Sequence, residues 1–355
     1  MPTTPLRPEE RLSLSLRGLY EQYGYQKFTM SRFEPYDFYA RHRDFLAAEQ
    51  MITFTGLDGQ LLALRPDVTL SIVKKVEAGD TRLYYAESVY RPSPREGVFR
   101  ESNQVGVEHI GPITPYDSLE IVLLALQSLR MIAPEVALDL SHTGYISGLL
   151  NPLPIDEGAR RALRRCLEAK NPHELAAIAK DRVSAEDLAR LLGVARLGGG
   201  LAEARALAKG DEMHRALDEL VSLQASLSAL GESDALRLDF SIAGDAQYYS
   251  GLMLRGYVSS IPDVALSGGR YDPLLRRMGK PGLSGLGFAV YFDALAQFLS
   301  PAADNHADVA FVYAPDADPA AVARAVRACI DRGERVFAGM NPPPDLSYAR
   351  LEEVR

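Results

Sequence analysis

The sequence predicts an α+β fold, an antiparallel sheet of six or seven strands flanked by helices. Three observations carry this expectation. The apolar strands come as hairpins with few crossover units, a helix-rich stretch poor in aromatic residues interrupts them, and a short β-α-β pattern closes the chain. On this reading residues 1–150 and 232–300 form the main domain, 151–231 a helical insertion, and 307–355 a separate α/β element.

The elements follow from local patterns. Residues 9–23 read as an amphipathic helix, with Leu12, Leu16, Leu19 and Tyr20 on one stripe and Pro8 just ahead. A short strand at 61–64 is closed by Arg65-Pro66, and strands at 82–91 and 104–110 are joined by a loop rich in Pro, Arg and Gly. Residues 115–131 form a helix opened by Pro115 and Asp117 and apolar on most sides, which places it in a core or under an interface. Residues 136–140 alternate as a strand.

From 151 to 231 Ala, Leu, Arg and Glu dominate, and Asn171-Pro172, Ser184 and Gly198–Gly200 separate short helices. Ser184 with Asp187 resembles a capping box. Met213, Ala216, Leu217, Leu220, Leu223, Leu227 and Leu230 make a stripe that reads as ordinary core. Strands return at 236–242, 248–258 and 264–266, and Gly268-Gly269 alone reads as a turn. A linker-like stretch after Ser300 precedes a strand at 307–314, a helix at 318–332 and a strand at 335–338, until Asn341-Pro342-Pro343-Pro344 breaks regular structure.

Composition narrows the class. The 355 residues carry a formal net charge of -8 and only short arginine runs, which argues against nucleic acid as a partner. No run of 18 apolar residues suggests a membrane span, and the N-terminal residues lack a secretory pattern, so a cytoplasmic protein is expected. The two cysteines, Cys166 and Cys329, are far apart and expected to be reduced. Six scattered histidines make no metal-binding pattern, and no cofactor is expected.

The most informative stretch runs from Arg65 to Gly111. Alternate strand residues share a face, so Leu83, Tyr85, Glu87 and Arg91 point one way, as do Gln104, Gly106 and Glu108. His109 points the opposite way and is expected to be packed or solvated. A carboxylate, a guanidinium and an amide on one sheet face suit a small zwitterionic or phosphorylated ligand. They equally suit the solvated side of an antiparallel sheet.

The same residues carry a family resemblance. LRPDVT at 64–69, followed by YRPSPREGVFRESNQVGVEHIG at 90–111, resembles the second signature motif of class II aminoacyl-tRNA synthetases in its histidyl form. IAGDAQYYSGLMLRGYV at 242–258 is similar to the histidyl Arg-Gly-x-Asp-Tyr-Tyr-x-Gly loop, and ALSGGRYDPLLRRMG at 265–279 to its Gly-Gly-Gly-Arg-Tyr-Asp loop. SGLGFAVYFDALAQFL at 284–299 stands where the third class II motif would be. The resemblance implies a class II synthetase-like antiparallel sheet with a helical insertion, and makes 307–355 a truncated, partial anticodon-binding-like element.

The departures from that pattern fall on cations. The family's catalytic arginine aligns with Gly244, and neither Ala243 nor Asp245 supplies it; Arg255 lies too far along the next strand. The ATP-binding arginine of the third motif aligns with Ala294, and one of its glycines with Tyr291. In the second motif Arg91 is kept, but the loop is one residue shorter, its acidic residue is missing at Pro92-Ser93, and one arginine reads Val98, with Arg95 and Arg100 nearby. The proline of the first motif reads Ser31. Adenylyl transfer builds charge on the α-phosphate, and losing one stabilising donor commonly costs about 10²–10³ in rate. Two arginines are absent together, so no catalytic residue is assigned.

A histidyl-synthetase body without these cations is similar to the regulatory-subunit family of ATP phosphoribosyltransferase. That resemblance implies a non-catalytic chain that partners the short-form ATP phosphoribosyltransferase catalytic subunit in the first step of histidine synthesis. It also implies histidine as effector, a homodimer core within a hetero-oligomer, and no tRNA partner. Carried over by motif, Asp67 pairs with a ligand α-ammonium, Thr69 supports it, and Arg91 faces a carboxylate or phosphate. Gln104 holds the backbone end of the ligand, and Glu108 contacts either the ammonium or an imidazole N–H. Tyr248 and Tyr249 line the imidazole side, with Arg270 and Tyr271 on the closing loop. Two other readings stay open: a divergent histidyl-tRNA synthetase re-supplied by Arg95, Arg100 or Arg270, and a histidine-sensing scaffold for another partner.

Overall fold

The computed structural model describes residues 6–46, 51–77, 79–93, 97–242, 244, 248–259, 261–299 and 305–354. The chain divides into two units, Leu12–Leu295 and a second made of Met1–Arg11 with Ala296–Arg355.

The larger unit is built on one sheet. Its strands lie in the spatial order Gln26–Lys27, Thr81–Ser93, Val98–Gly111, Ser284–Tyr291, Leu266–Arg270, Leu252–Val258, Val136–His142 and Leu236–Leu238. The inner pairings are antiparallel and the two outermost are parallel. The sheet therefore has eight strands, more than expected: Gln26–Lys27 joins its edge and Ser284–Tyr291 its middle, while the expected strand Leu61–Leu64 belongs to another sheet. A separate small antiparallel sheet holds Phe33–Pro35, Leu61–Leu64 and Thr53–Thr55.

Register places three rows across the centre of one face. Leu83, Glu108, Gly287 and Gly269 are paired in turn; so are Tyr85, Gly106, Ala289 and Ser267; and so are Glu87, Gln104 and Tyr291. The long hairpin 81–111 thus brings the carboxylate and amide of the sequence pattern onto the glycine-rich middle of the sheet. Gly268 and Gly269 lie inside a strand, not in the expected turn. A Cβ on Gly268 would stand 2.1 Å from the Gly287 carbonyl oxygen, so close strand packing explains that glycine.

The other face is covered by the helix Pro115–Ile132 and by Leu12, Leu16, Leu19 and Tyr20 of the helix Pro8–Gln22. Tyr20 and Ser128 share a buried hydroxyl hydrogen bond of 3.0 Å. Thr114 and Asp117 form a reciprocal cap on the second helix. Arg82 reaches Glu120 (2.6 Å) and Asp117 (2.8 Å), and the buried His109 lies against Asp80 (2.5 Å). His109 is packed on the far face.

Two strands are shorter than their apolar patterns. Residues 236–242 leave the sheet after Leu238, where Asp239 Oδ1 accepts from Ser241 N (2.9 Å) and turns the chain. Residues 248–251 bend before the strand Leu252–Val258, with Gly251 at φ +121°.

The stretch between the halves of the sheet is helical: Glu157–Glu168, Pro172–Ala179, Ala185–Ala195, Leu201–Leu207 and Gly210–Ala229. Ser184 Oγ accepts from Asp187 N (3.1 Å), the cap expected there. The stripe from Met213 to Leu227 is buried, and Leu230 is exposed.

In the smaller unit the strand Ala307–Tyr313 pairs in parallel with both Val336–Gly339 and Tyr348–Val354, and the helix Pro319–Asp331 is the crossover. The third strand was not expected: Arg350, Glu352 and Glu353 hide its alternation, as suits an edge. Val309, Phe311 and Cys329 form its core.

Candidate functional site

The site begins where Arg65-Pro66 ends one strand and the helix Val68–Lys75 starts. Asp67 is the N-cap of that helix: its Oδ1 accepts from Leu70 N at 2.8 Å. Its Oδ2 accepts from Arg91 Nη2 at 3.1 Å, while Arg91 Nε donates to the Pro66 carbonyl at 2.6 Å. A side chain one methylene shorter than glutamate is thus drawn back onto its own helix. Asp67→Ala is expected to cost about 1 kcal/mol through the lost cap. Asp67→Asn keeps the cap and loses only the half-exposed ion pair, worth a few tenths of a kcal/mol by order of magnitude. Urea denaturation of the three proteins checks the ranking.

Thr69, on the first turn, donates through Oγ1 to Glu108 Oε1 at 2.7 Å. Glu108 is 3% exposed, and its Oε2 has no hydrogen-bond partner among the described residues. The buried Tyr271 hydroxyl is its neighbour but likewise completes no hydrogen bond. Burial pushes the Glu108 carboxyl up to about 7, opposed by Thr69 and Tyr271 and reinforced by the Asp67 charge. Gly287 makes room for this side chain, since a Cβ there would stand 2.1 Å from Glu108 Oε2 and 2.3 Å from the Val107 carbonyl oxygen.

Aromatic rings wall the site. Tyr248 lies 4.6 Å from Tyr249, 6.3 Å from Tyr271 and 6.0 Å from Phe45, centroid to centroid. Burial holds the hydroxyls of Tyr248 and Tyr271 far above their ordinary range, so both are protonated donors. Gln104 is buried in the row beside Glu87 and Tyr291.

The structure therefore brings Asp67, Thr69, Arg91, Gln104, Glu108, Tyr248, Tyr249 and Tyr271 to one region. Arg270 does not join them. It falls on the opposite face of its strand, donating to Asp272 (2.9 Å) and Ser284 Oγ (3.0 Å). Glu87 is not free for a ligand either. It pairs at 2.8 Å with Arg65, which is 0% exposed and also donates to the carbonyls of Ser31 and Ser88. That bracing role of Arg65 was missed; an arginine ending an apolar strand before a proline was its only signal.

The cation side differs in kind. Gly244 has a left-handed backbone (φ +57°), and a Cβ there would stand 2.4 Å from Met253 Sδ. Its carbonyl accepts from Arg164 of the helix Glu157–Glu168 at 3.3 Å. Tyr291 projects onto the site face and hydrogen-bonds Ser267 at 2.6 Å, filling surface that a glycine would leave bare. Ala294 carries no charge. Ala243, Asp245 and Arg95 lie outside the described residues. Among the described residues no group of His, Cys, Asp or Glu could hold a metal ion, and no helix is long and apolar enough to cross a membrane.

Comparison with known proteins bears on this split. The family model for histidyl-tRNA synthetase matches residues 5–295. A relative from Geobacter metallireducens, named ATP phosphoribosyltransferase regulatory subunit, is 32% identical over 309 residues, covering 82% of this chain and 70% of the relative. This chain belongs to the ATP phosphoribosyltransferase regulatory subunit family. A solved structure from Bacillus halodurans, titled as a regulatory subunit/histidyl-tRNA synthetase of this kind, superposes with a TM-score of 0.80 at 25% identity, over 98% of this chain and 94% of the other. A chain of the ATP phosphoribosyl transferase complex from Thermotoga maritima shares the fold, with a TM-score of 0.64 at 18% identity over 79% of this chain and 96% of that one. The family's histidyl-synthetase-like α+β fold is the one described above. In this member Asp67, Thr69, Arg91, Gln104, Glu108 and the tyrosines stand together, while Gly244, Ala294 and Tyr291 stand where the synthetase pattern has two arginines and a glycine.

Proposed function

We propose that this chain is the non-catalytic regulatory subunit of a cytoplasmic ATP phosphoribosyltransferase, and that it binds histidine in the cleft around Glu108. The observation that carries the reading is the pair of buried, unpartnered polar atoms, Glu108 Oε2 and the Tyr271 hydroxyl. A buried polar atom left unsatisfied costs on the order of 1–3 kcal/mol. A protonated imidazole has two N–H donors, so it can donate one to Glu108 and the other to the Tyr271 hydroxyl oxygen. In this reading Arg91 and Gln104 meet the carboxylate end of such a ligand, and Tyr248 and Tyr249 meet its ring. Asp67 keeps a lone pair on each oxygen beyond its cap and its Arg91 contact, and these can serve the α-ammonium.

Catalysis in this scheme belongs to a short-form catalytic subunit, joined to a homodimer of this chain. Histidine controls activity if it binds one state of the assembly better than the other. Mixing the purified chain with a short-form catalytic subunit, and following product formation with and without histidine, tests the proposal. Activity appearing on mixing and falling with added histidine is the expected result. A catalytic subunit equally active without this chain would refute it.

A further inference from the structure

Arg270 turns away from the cleft, but the next residue, Tyr271, lies in it and is 2% exposed. The Tyr271 hydroxyl completes no hydrogen bond among the described residues. No hydrogen bond at the cleft end fixes this side chain, so its place is set by packing and by the backbone behind it.

That support is a clasp on two residues of the neighbouring strand, Ser284 and Gly285. Arg270 Nη2 donates to Ser284 Oγ at 3.0 Å, and Arg270 Nε to Asp272 Oδ2 at 2.9 Å. Asp272 Oδ1 accepts from Gly285 N at 3.2 Å, and Tyr271 N donates to the Gly285 carbonyl at 2.8 Å. The ring lies on the same glycine, since a Cβ at 285 would stand 2.2 Å from Tyr271 Cε2. The planar fork of Arg270 thus grips both sides of Tyr271: the residue after it, and the strand beside it.

The same arginine reaches the other aromatic wall. Ser250 N donates to the Arg270 carbonyl at 2.8 Å. The arginine stem packs on Gly251, where a Cβ would stand 3.2 Å from Arg270 Cδ. Ser250 and Gly251 directly follow Tyr248-Tyr249. Both tyrosine walls are therefore anchored at one residue on the far face of the sheet.

We propose that Arg270 is a positioning residue of the cleft, which holds the Tyr271 ring against Glu108 before a ligand arrives. A side chain ordered in advance adds no ordering cost to binding. The inference rests on the reading of the cleft as a histidine site, but half of its test needs no ligand.

Two measurements on the full chain make the test. Calorimetry follows histidine binding. Arg270→Ala should weaken it about tenfold, the equivalent of one misplaced hydrogen bond. Arg270→Lys, which still reaches Asp272, should stay within about threefold of wild type. In a Tyr271→Phe background Arg270→Ala should cost no more than about twofold, because the hydroxyl it places is gone. Carbon-13 NMR follows the Glu108 carboxyl in the ligand-free chain. Its midpoint lies at about 7 in the wild type. Arg270→Ala should lower it by about one pH unit, since a displaced Tyr271 admits water to the carboxylate. Ser284→Ala, a milder change that removes one contact of the clasp, should move both readouts the same way by less. An unchanged Glu108 midpoint in Arg270→Ala would overturn the proposal, as would the same tenfold loss with and without the Tyr271 hydroxyl. A wild-type chain that takes up no histidine would overturn the reading of the cleft instead, and the Glu108 midpoint would then decide the role of Arg270.

Discussion

Glu108→Gln will weaken histidine binding by about 10- to 100-fold, the range expected for one hydrogen bond to a charged group in a buried site. The glutamine also removes the titrating group, which gives a second signature. In the free chain Glu108 ionises near 7, and a free imidazole near 6.5. The bound pair shares one proton. At pH 8 neither free partner holds it, so binding takes a proton up. At pH 5.5 both hold one, so binding releases one. Calorimetry in buffers of different ionisation heat will show uptake at pH 8 in the wild type and none in Glu108→Gln. Equal uptake in both proteins would remove Glu108 from the site.

Stability shifts with the same sign. The folded-state pKa of Glu108 is raised above the ordinary glutamate value of 4.5, so the native state favours the protonated acid. That contribution is fully present below about pH 4.5 and is lost as pH rises through about 7. Glu108→Gln should therefore compare better with wild type at pH 8 than at pH 5.

The purified chain will also show histidine-dependent ATP–pyrophosphate exchange at least about 10²–10³ below that of a histidyl-tRNA synthetase, the cost of one missing transition-state donor. The deficit should be larger, because two positions have changed. Gly244 and Ala294 carry no charge, and Tyr291 occupies nearby sheet surface through its bond to Ser267. Arg91 does not make up the loss, since it is the arginine that the synthetase motif already has at that position. Arg270, which the sequence left open as a replacement, lies across the sheet with Asp272 and Ser284.

Much of this was legible before the structure. Strand alternation put Gln104 and Glu108 on one face and His109 on the other, because the pleat of a long hairpin leaves no choice. The helical stripe from Met213 to Leu227 and the Ser184 cap follow from period and local chemistry. What escaped was set by distant partners. Gly268-Gly269 resembles a turn until the Gly287–Phe288 backbone is seen pressing on it. The role of Arg65 depends on Ser31 and Glu87, which are separated from it in sequence. The face of Arg270 depends on where its strand begins, and that start was placed two residues early with the glycines outside. The edge strand Tyr348–Val354 has too few apolar residues to announce itself.

On the proposed function the cleft retains its amino-acid half and has lost the cations for activation. Histidine-dependent ATP–pyrophosphate exchange, run on a chain shown by calorimetry to be saturated with histidine, tests this most directly. The expected result is a histidine-saturated protein with exchange no higher than the histidine-free control. Exchange at the pace of a synthetase under the same saturation would contradict it.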